Sequence, residues 1–587
     1  MKLPSFQTLL GGFFVVARRF PLELAAALAG TVSAMLLFEE AYPENQEQLI
    51  LLLLCSNLAL TLFLSVSVFT ESSQLASAGR LALKLAGVVV MIIIFFSLEP
   101  ISDETNIFRI AFLVLAFHLL VSFAPVVFRG SVEGFWEYNM RIFIRILTAG
   151  LYSTVLYAGL AIALLSADAL FDLKIRSEIY GHLFAIIFGL FNTAFFLAGF
   201  PSDWKNLEEP QPYPKGLKIF TQYVLIPLAT VYLAILLAYE GKLVIEWSLP
   251  KGLVATLVLG YAVYGMLSIL LVHPVRFDQG NRWIMTFSKF FYLLLIPLII
   301  LLGSAVYLRV NQYGVTESRY VLIVLSFWLT GVTLYFLSSR LQNIKVIPVS
   351  LFVVALLAAW GPQSASAVSK QSQLKRLFSF FEQKSSVING KLVPLTNTSG
   401  SGEATEILRY LVNRHGPGAL RGYLQVDPDS LTRSADTLKY RYAREYERFE
   451  LLRRYLKLQY SYETAEEIHY YSAETTTGDS LSISGYRHLV KVQYPVYYTD
   501  APYTWNVDET RFSLNGKSYQ ATFDLRPVAE QVVNKCTGEV RYIKVPVGEL
   551  YCMDETTGHR LIIEYLSFRL DNGKPEIQNF NGVLLLR

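Results

Sequence analysis

Between Lys218 and Arg340 the chain twice writes a long apolar span with a proline inside it, a turn of aromatic and charged residues, and a second apolar span. The first copy carries Pro227 and turns at Tyr239 to Lys251; the second carries Pro297 and turns at Arg309 to Tyr320. A helix of about 20 residues covers the roughly 30 Å hydrocarbon layer of a bilayer. Only segments that satisfy their own peptide groups survive there, so runs of this length predict membrane-spanning helices.

The rest of the chain fits that frame. Of its 587 residues 53% are hydrophobic and 17% charged, and the apolar ones lie in unbroken runs. A net charge of +4, scattered along the chain, gives no nucleic-acid partner. Three cysteines exclude a disulfide-dense scaffold. Residues Lys2 to Arg19, with Phe6, Phe13 and Phe14 before Arg18 and Arg19, lack a cleavage site and predict an interfacial helix rather than a signal peptide.

Eleven spans are expected, at Pro21 to Phe38, Leu49 to Phe69, Leu81 to Leu98, Phe108 to Val127, Ile142 to Leu165, Tyr180 to Phe200, Lys218 to Leu237, Gly252 to Val272, Met285 to Leu308, Tyr320 to Leu337 and Val346 to Trp360. The last is short and needs local thinning of the bilayer to cross. Basic residues near span ends number sixteen on the side of the N-terminus and seven on the other. The positive-inside bias therefore predicts a cytoplasmic N-terminus in the inner membrane, and an odd number of spans puts the C-terminal region outside, in the periplasm.

Past Trp360 the composition becomes that of a soluble region. Ser369 to Ser386 predicts a helix with Leu374, Leu377, Phe378 and Phe381 on one face, Glu403 to Arg414 a second, and Asp436 to Tyr460 a third with i,i+4 pairs such as Glu450 and Arg454. From Leu481 the period becomes two. Asn515-Gly516 and Asn572-Gly573 are two-residue hairpin signals. The expected fold is thus an α-helical polytopic membrane protein with tandem hairpin repeats (residues 1–360), an extracytoplasmic helical segment (361–475), and a small β-sandwich or barrel-like module (476–587). Cys536 and Cys552 bracket an expected hairpin at Glu539 to Val545, and in an oxidising compartment they could be bonded.

Several blocks resemble a bacterial family of polytopic membrane proteins known as domain of unknown function 4153. They are Asp172-Leu-Lys-Ile-Arg176, Phe191-Asn192-Thr, Tyr223-Val-Leu-Ile-Pro227-Leu, Leu249-Pro-Lys-Gly252, Tyr313-Gly-Val-Thr-Glu317-Ser-Arg319-Tyr320, and Gly361-Pro362 followed by Val368-Ser369-Lys-Gln-Ser-Gln373. Gln363 stands where the family pattern has tryptophan. The resemblance covers Pro21 to Leu377 and implies the membrane fold without an activity.

Polar groups inside a bilayer are costly, so they mark candidate sites. Within spans these are Asn57, His118, Asn192 and Gln222; a bond to a neighbouring helix competes with a proton-relay role for His118 and with any functional role for Asn192. A denser set lies at the outer ends of spans five to ten: Asp168, Asp172, Arg176, Glu240, Arg309, Tyr313, Glu317, Arg319 and Tyr320. These residues suit a polar ligand such as a sugar, phosphate or lipid headgroup, or else dock the C-terminal region onto the membrane part. Pro227 and Pro297 should kink their spans, as broken transporter helices do, although such kinks also occur without transport.

Phosphate-loop, zincin and dinucleotide templates are missing from the sequence. No cofactor or metal is implied, and an enzyme is the lesser expectation. Three functions remain open. They are a transport or envelope-assembly component binding a polar ligand, a membrane-anchored sensor or scaffold whose β module binds an envelope protein, and a transferase acting on a lipid-linked substrate. Membrane lipids are partners in all three.

Overall fold

The computed structural model describes residues 14–587 apart from the connections 40–45, 74, 99–103, 127–129, 203, 205–212, 247–253, 278–280, 339–342, 438–440, 461–468, 476–482, 495–503, 509, 516–519, 537–541, 555 and 572–573. Lys2 to Phe13 of the expected interfacial helix lie outside these residues, and 14–19 are helical. The chain forms two compact units, Met1–Gln459 and Tyr460–Arg587.

Each of the eleven expected apolar segments is a helix. They are α1 (Pro21–Glu39), α2 (Gln46–Ser72), α3 (Ser77–Ser97), α4 (Glu104–Phe123), α5 (Val132–Phe171), α6 (Ser177–Ala198), α7 (Lys215–Phe220, Thr221–Leu225 and Ile226–Glu246 in continuous succession), α8 (Val254–Val272), α9 (Arg282–Tyr313), α10 (Glu317–Ser338) and α11 (Val346–Ala359). Among the described residues ten are long and apolar enough to span, while α11 has 14 residues. Leu81, Ile92 and Phe96 of α3 and Leu151, Val155 and Leu165 of α5 are exposed. Apolar side chains in that position find a compatible solvent only in lipid.

The helices pack as two groups. Leu51, Leu58, Leu62, Met91, Leu113 and Phe117 centre a core among α1 to α4, and Leu233, Val258, Tyr261, Phe291, Leu295 and Leu329 centre another among α7 to α10. Helix α11 joins both, with Ile347 in the second core and Ala355 and Ala359 in the first. It also runs the depth of the bundle. At one end the Lys345 ammonium donates to the carbonyls of Val126 and Gly130, at 3.2 and 2.7 Å; at the other, the Tyr320 hydroxyl donates to the Gln363 carbonyl at 2.6 Å.

The tandem hairpins α7–α8 and α9–α10 share one core, but their prolines are accommodated differently. Pro227 follows a π-turn at Thr221–Leu225, where the widened helix leaves room for the ring, and Tyr264 donates to the Leu225 carbonyl at 3.1 Å. Pro297 lies inside the continuous helix α9. A second π-segment, Ala185–Phe191 in α6, has no proline. There Gly189 abuts α1 so closely that a Cβ would fall 2.2 Å from Thr31 Oγ1. Gly265 of α8 admits the Phe291 ring of α9 in the same way, at 2.1 Å from a would-be Cβ; small residues let membrane helices approach like this.

The first unit continues into α12 (Ala365–Gln383), the short pair β1 (Val387–Ile388) and β2 (Lys391–Leu392), α13 (Gly402–His415) and α14 (Arg441–Leu456). The third of these helices begins five residues later than the pattern predicts, because Arg433–Thr437 forms a separate 3₁₀ turn. Glu450 pairs with Arg454 as expected, at 3.7 Å, and more closely with Arg453 at 2.9 Å.

The second unit holds β3 (His469–Thr475), β4 (His488–Tyr494), β5 (Thr504–Asp508), β6 (Arg511–Asn515), β7 (Gln520–Asp524), α15 (Arg526–Lys535), β8 (Tyr542–Val545), β9 (Tyr551–Met553), β10 (Arg560–Asp571) and β11 (Lys574–Leu586). Its first strand precedes residue 476. One sheet runs β4-β11-β10-β3-β8 with β9 also on β10, and β5-β6-β7 form a meander. Both hairpin signals hold: β6 pairs with β7, and β10 meets β11 with Asp571 opposite Lys574. Among the described residues no barrel closes, since β4 and β8 end the larger sheet. The expected hairpin at Glu539 to Val545 is corrected too: β8 lies parallel to β3, and β9 pairs with β10. Local alternation specifies a strand but not its partner. Phe512, Phe523, Val528, Leu561, Ile563, Phe568 and Phe580 form a single core from both sheets and α15.

Candidate functional site

The block Tyr313 to Tyr320 turns the chain from α9 into α10, and its geometry follows from one glycine. Gly314 has φ +68°, and a Cβ there would lie 2.7 Å from Arg376 Cδ and 2.9 Å from Gln373 Nε2, so both the conformation and the space require glycine. The turn presses its backbone onto α12. Gln373 donates to the carbonyls of Tyr313 and Val315 at 3.0 and 3.1 Å, the Val315 amide donates to Ser372 Oγ at 2.9 Å, and Arg376 donates to the Gln312 carbonyl at 2.9 Å.

On the side facing α12 and α13 the block buries a carboxylate. Glu317 is 2% exposed and accepts a hydrogen bond from the Tyr410 hydroxyl, which also bonds Ser369 Oγ. His415 Nε2 lies 3.4 Å from Glu317 Oε1 and 3.4 Å from Ser369 Oγ. The same imidazole nitrogen, Nε2, faces both groups. Burial, and then the bond to Glu317, push the Tyr410 phenol well above its ordinary pKa, which keeps it a neutral donor. The Thr105 hydroxyl donates to the Arg414 carbonyl, so the start of α4 meets the same segment.

On its other side the block lines a cavity of about 330 Å³ between α8, α9 and α10. Arg309, Thr316, Ser318 and Arg319 supply its polar wall, and Ala255, Ala305, Val306 and Leu322 its apolar one. Arg319 donates through Nη1 to the carbonyls of Tyr313 and Gly314, at 3.2 and 3.0 Å, and its guanidinium stands 5.3 Å from the Tyr313 ring centre. Arg309 is exposed and has no acidic partner among the described residues.

The expected rim is thereby divided. Arg309, Tyr313, Glu317, Arg319 and Tyr320 come together at the α9–α10 turn. Asp168 and Asp172 instead close α5 locally and Arg176 opens α6: Asp168 accepts from the Ile175 amide at 3.0 Å, Asp172 takes φ +50° as the α5 cap, and Arg176 lies 3.4 Å from Glu178 in the first turn of α6. Glu240 is half-buried on α7. Among the described residues no hydrogen bond or ion pair joins these four to the α9–α10 turn.

Inside the bundle, Ser153 of α5 donates to Asn192 at 3.1 Å, an interhelical bond as expected. His118 instead bonds its own helix, Nδ1 to the Val114 carbonyl at 2.7 Å, and is exposed. Cys536 and Cys552 are free thiols, and Cys552 donates to the Asp524 carbonyl at 3.1 Å. Sequence reasoning missed Ser369, Tyr410 and His415; only Ser369 lay in a quoted block. It also missed Glu23, a fully buried carboxylate in the first turn of α1.

Helices of this length and apolarity, with apolar faces turned outward, define an integral multi-pass membrane protein. The chain belongs to the family described as domain of unknown function (DUF4153), whose pattern matches residues 24–376 and so takes in the Tyr313 to Tyr320 block and its α12 partners. It is similar to an uncharacterized protein of Pasteurella multocida (strain Pm70), 22% identical over 386 residues that cover 63% of this chain and 60% of that one. No solved structure matches.

Proposed function

We propose that the chain is an inner-membrane component of transport or envelope assembly, whose bundle binds a polar ligand or lipid headgroup at the end bearing α12 to α14. By the positive-inside count this end faces the periplasm. The cavity of Arg309 and Arg319 carries this reading. Docking of α12 and α13 is accomplished by Glu317, Gln373 and the turn's backbone, which Arg319 braces through one nitrogen, and this leaves Arg309 and the rest of the Arg319 guanidinium unexplained by docking. A concave apolar wall with a few convergent polar groups is the usual form of a ligand site. Asp168, Asp172, Arg176 and Glu240 stay with their own helices and outside this site, and of the two hairpin prolines only Pro227 follows a π-turn, Pro297 lying within the continuous helix α9.

The test is rescue of a deletion strain. The whole chain is expected to restore its phenotype, Arg309→Ala with Arg319→Ala to fail although the protein is inserted, and residues 361–587 on a single-span anchor to fail. Rescue by the anchored fragment would sink the proposal. It would favour instead a sensor or scaffold whose β unit, with its own core, binds an envelope protein. Alkaline phosphatase fused after Arg587 should be active; an inactive fusion at normal abundance would reverse the orientation.

A further inference from the structure

The geometry points to a phosphate group as the part of the ligand that the cavity between α8, α9 and α10 holds. This rests on the ligand-binding role proposed above and names the chemistry. Its polar wall contains two guanidinium groups, Arg309 and Arg319, and two hydroxyls, Thr316 and Ser318, with no acid among the described lining residues. Arg309 and Arg376 both act on Arg319 with like charge. Arg376 is already engaged by Glu403 and the Gln312 carbonyl, so the uncompensated pair is Arg309 and Arg319.

Like charges held together on a partly apolar wall repel, and an anion between them reverses the sign of that interaction. The donor set then selects the anion. Arg319 spends one nitrogen on the turn and retains two more, and Arg309 is wholly uncommitted among the described residues. Two forked donors and two hydroxyls exceed what the two oxygens of a carboxylate accept, and they match the three or four oxygens of a phosphate. Arginine at both positions favours bidentate binding, which lysine lacks. Thr316 and Ser318 also stand at the start of the 22-residue helix α10, where first-turn amides have no partner within the helix. The apolar wall, Ala255 and Leu322 among it, would take the glycerol and upper acyl part of a phospholipid; a free phosphate would use the polar wall alone.

The test measures ligand retention by the purified full chain in neutral detergent, using native mass spectrometry and thermal shift. The probes are phosphatidylglycerol, phosphate-free diacylglycerol and inorganic phosphate. Phosphatidylglycerol is expected to be retained and diacylglycerol not. Arg309→Gln should weaken retention about tenfold, with Arg309→Lys recovering part of it. Among the described residues Arg309 has no structural bond to lose, so this variant keeps the fold where Arg319→Gln would loosen the Tyr313 turn. Stabilisation by inorganic phosphate without lipid retention, lost in Arg309→Gln, would uphold the phosphate and assign it to a soluble source. Equal retention of diacylglycerol, no effect of Arg309→Gln, or binding of neither phosphate probe would overturn the inference. The two proposals fail separately: phosphate binding lost with rescue intact sinks the transport or assembly role, and rescue lost with phosphate binding intact spares the site.

Discussion

The Tyr410 hydroxyl donates to the Glu317 carboxylate, and through that bond a helix nearly a hundred residues further along the chain is fastened to the first turn of α10. The same four-residue stretch, Thr316 to Arg319, therefore has two functions on two faces. Glu317 holds α13, and Arg319 faces the cavity.

Tyr410→Phe removes the donor and leaves a buried carboxylate short of a partner. The expected cost is about 1.5–3 kcal/mol, the range for a bond to a charged group. Limited proteolysis should show α13 freed before the bundle unfolds. In a double-mutant cycle Glu317→Gln should be coupled to Tyr410→Phe; additive losses would mean the bond carries nothing.

Gly265→Ala places a methyl group into the Phe291 ring. Overpacking of this kind costs about 1–3 kcal/mol. Phe291→Leu should recover much of the lost thermal midpoint in the double variant, whereas Gly303→Ala, with open space around it, should be nearly neutral.

Burial alone would raise the Asp554 carboxyl, but hydrogen bonds from the Thr556 hydroxyl and the amides of Thr522, Thr556 and Thr557 outweigh it and hold the group down to about 2. A depressed carboxyl contributes stability that is fully present above its ordinary value of 3.8 and is lost as pH falls towards 2. The gap in thermal midpoint between wild type and Asp554→Asn should accordingly be constant above about pH 5 and close below it.

Burial pushes the Cys552 thiol up to about 12, and Cys536 is raised by the same cause at a more accessible position. Maleimide should label Cys536 first in the folded protein and Cys552 only on unfolding, because the thiolate is the reactive form. Labelling of both on unfolding without reductant would agree with free thiols; a need for reductant would show them bonded.

The membrane part was legible because its signal is physical and local. An apolar run long enough to span announces itself, and all eleven segments formed helices. The α9–α10 turn was legible as a polar cluster, and Gly314 and Glu317 lay in a recognisable block. Its division into a docking face and a cavity face was not, because the partners Tyr410 and His415 sit in an amphipathic helix whose pattern reports burial and not what it is buried against. Gln363 illustrates the converse. It departs from the family pattern, yet Tyr320 bonds its backbone carbonyl, which any residue provides, while its own amide caps α11 through the carbonyls of Leu357 and Trp360. The π-segment at Ala185–Phe191 left no trace because no proline forces it, and the parallel placement of β8 beside β3 is a long-range choice that alternation cannot encode.

Helix α11 links both ends of the bundle with 14 residues, about 21 Å of rise. A hydrocarbon layer of about 30 Å does not fit around so short a strut. Val353 and Leu357 of α11 are exposed, and a bilayer meeting them there would have to thin, with headgroups and water drawn inward. A bilayer thinned in this way would form a dimple beside the seam between the two helix groups, where polar matter would have a shorter distance to travel through oil.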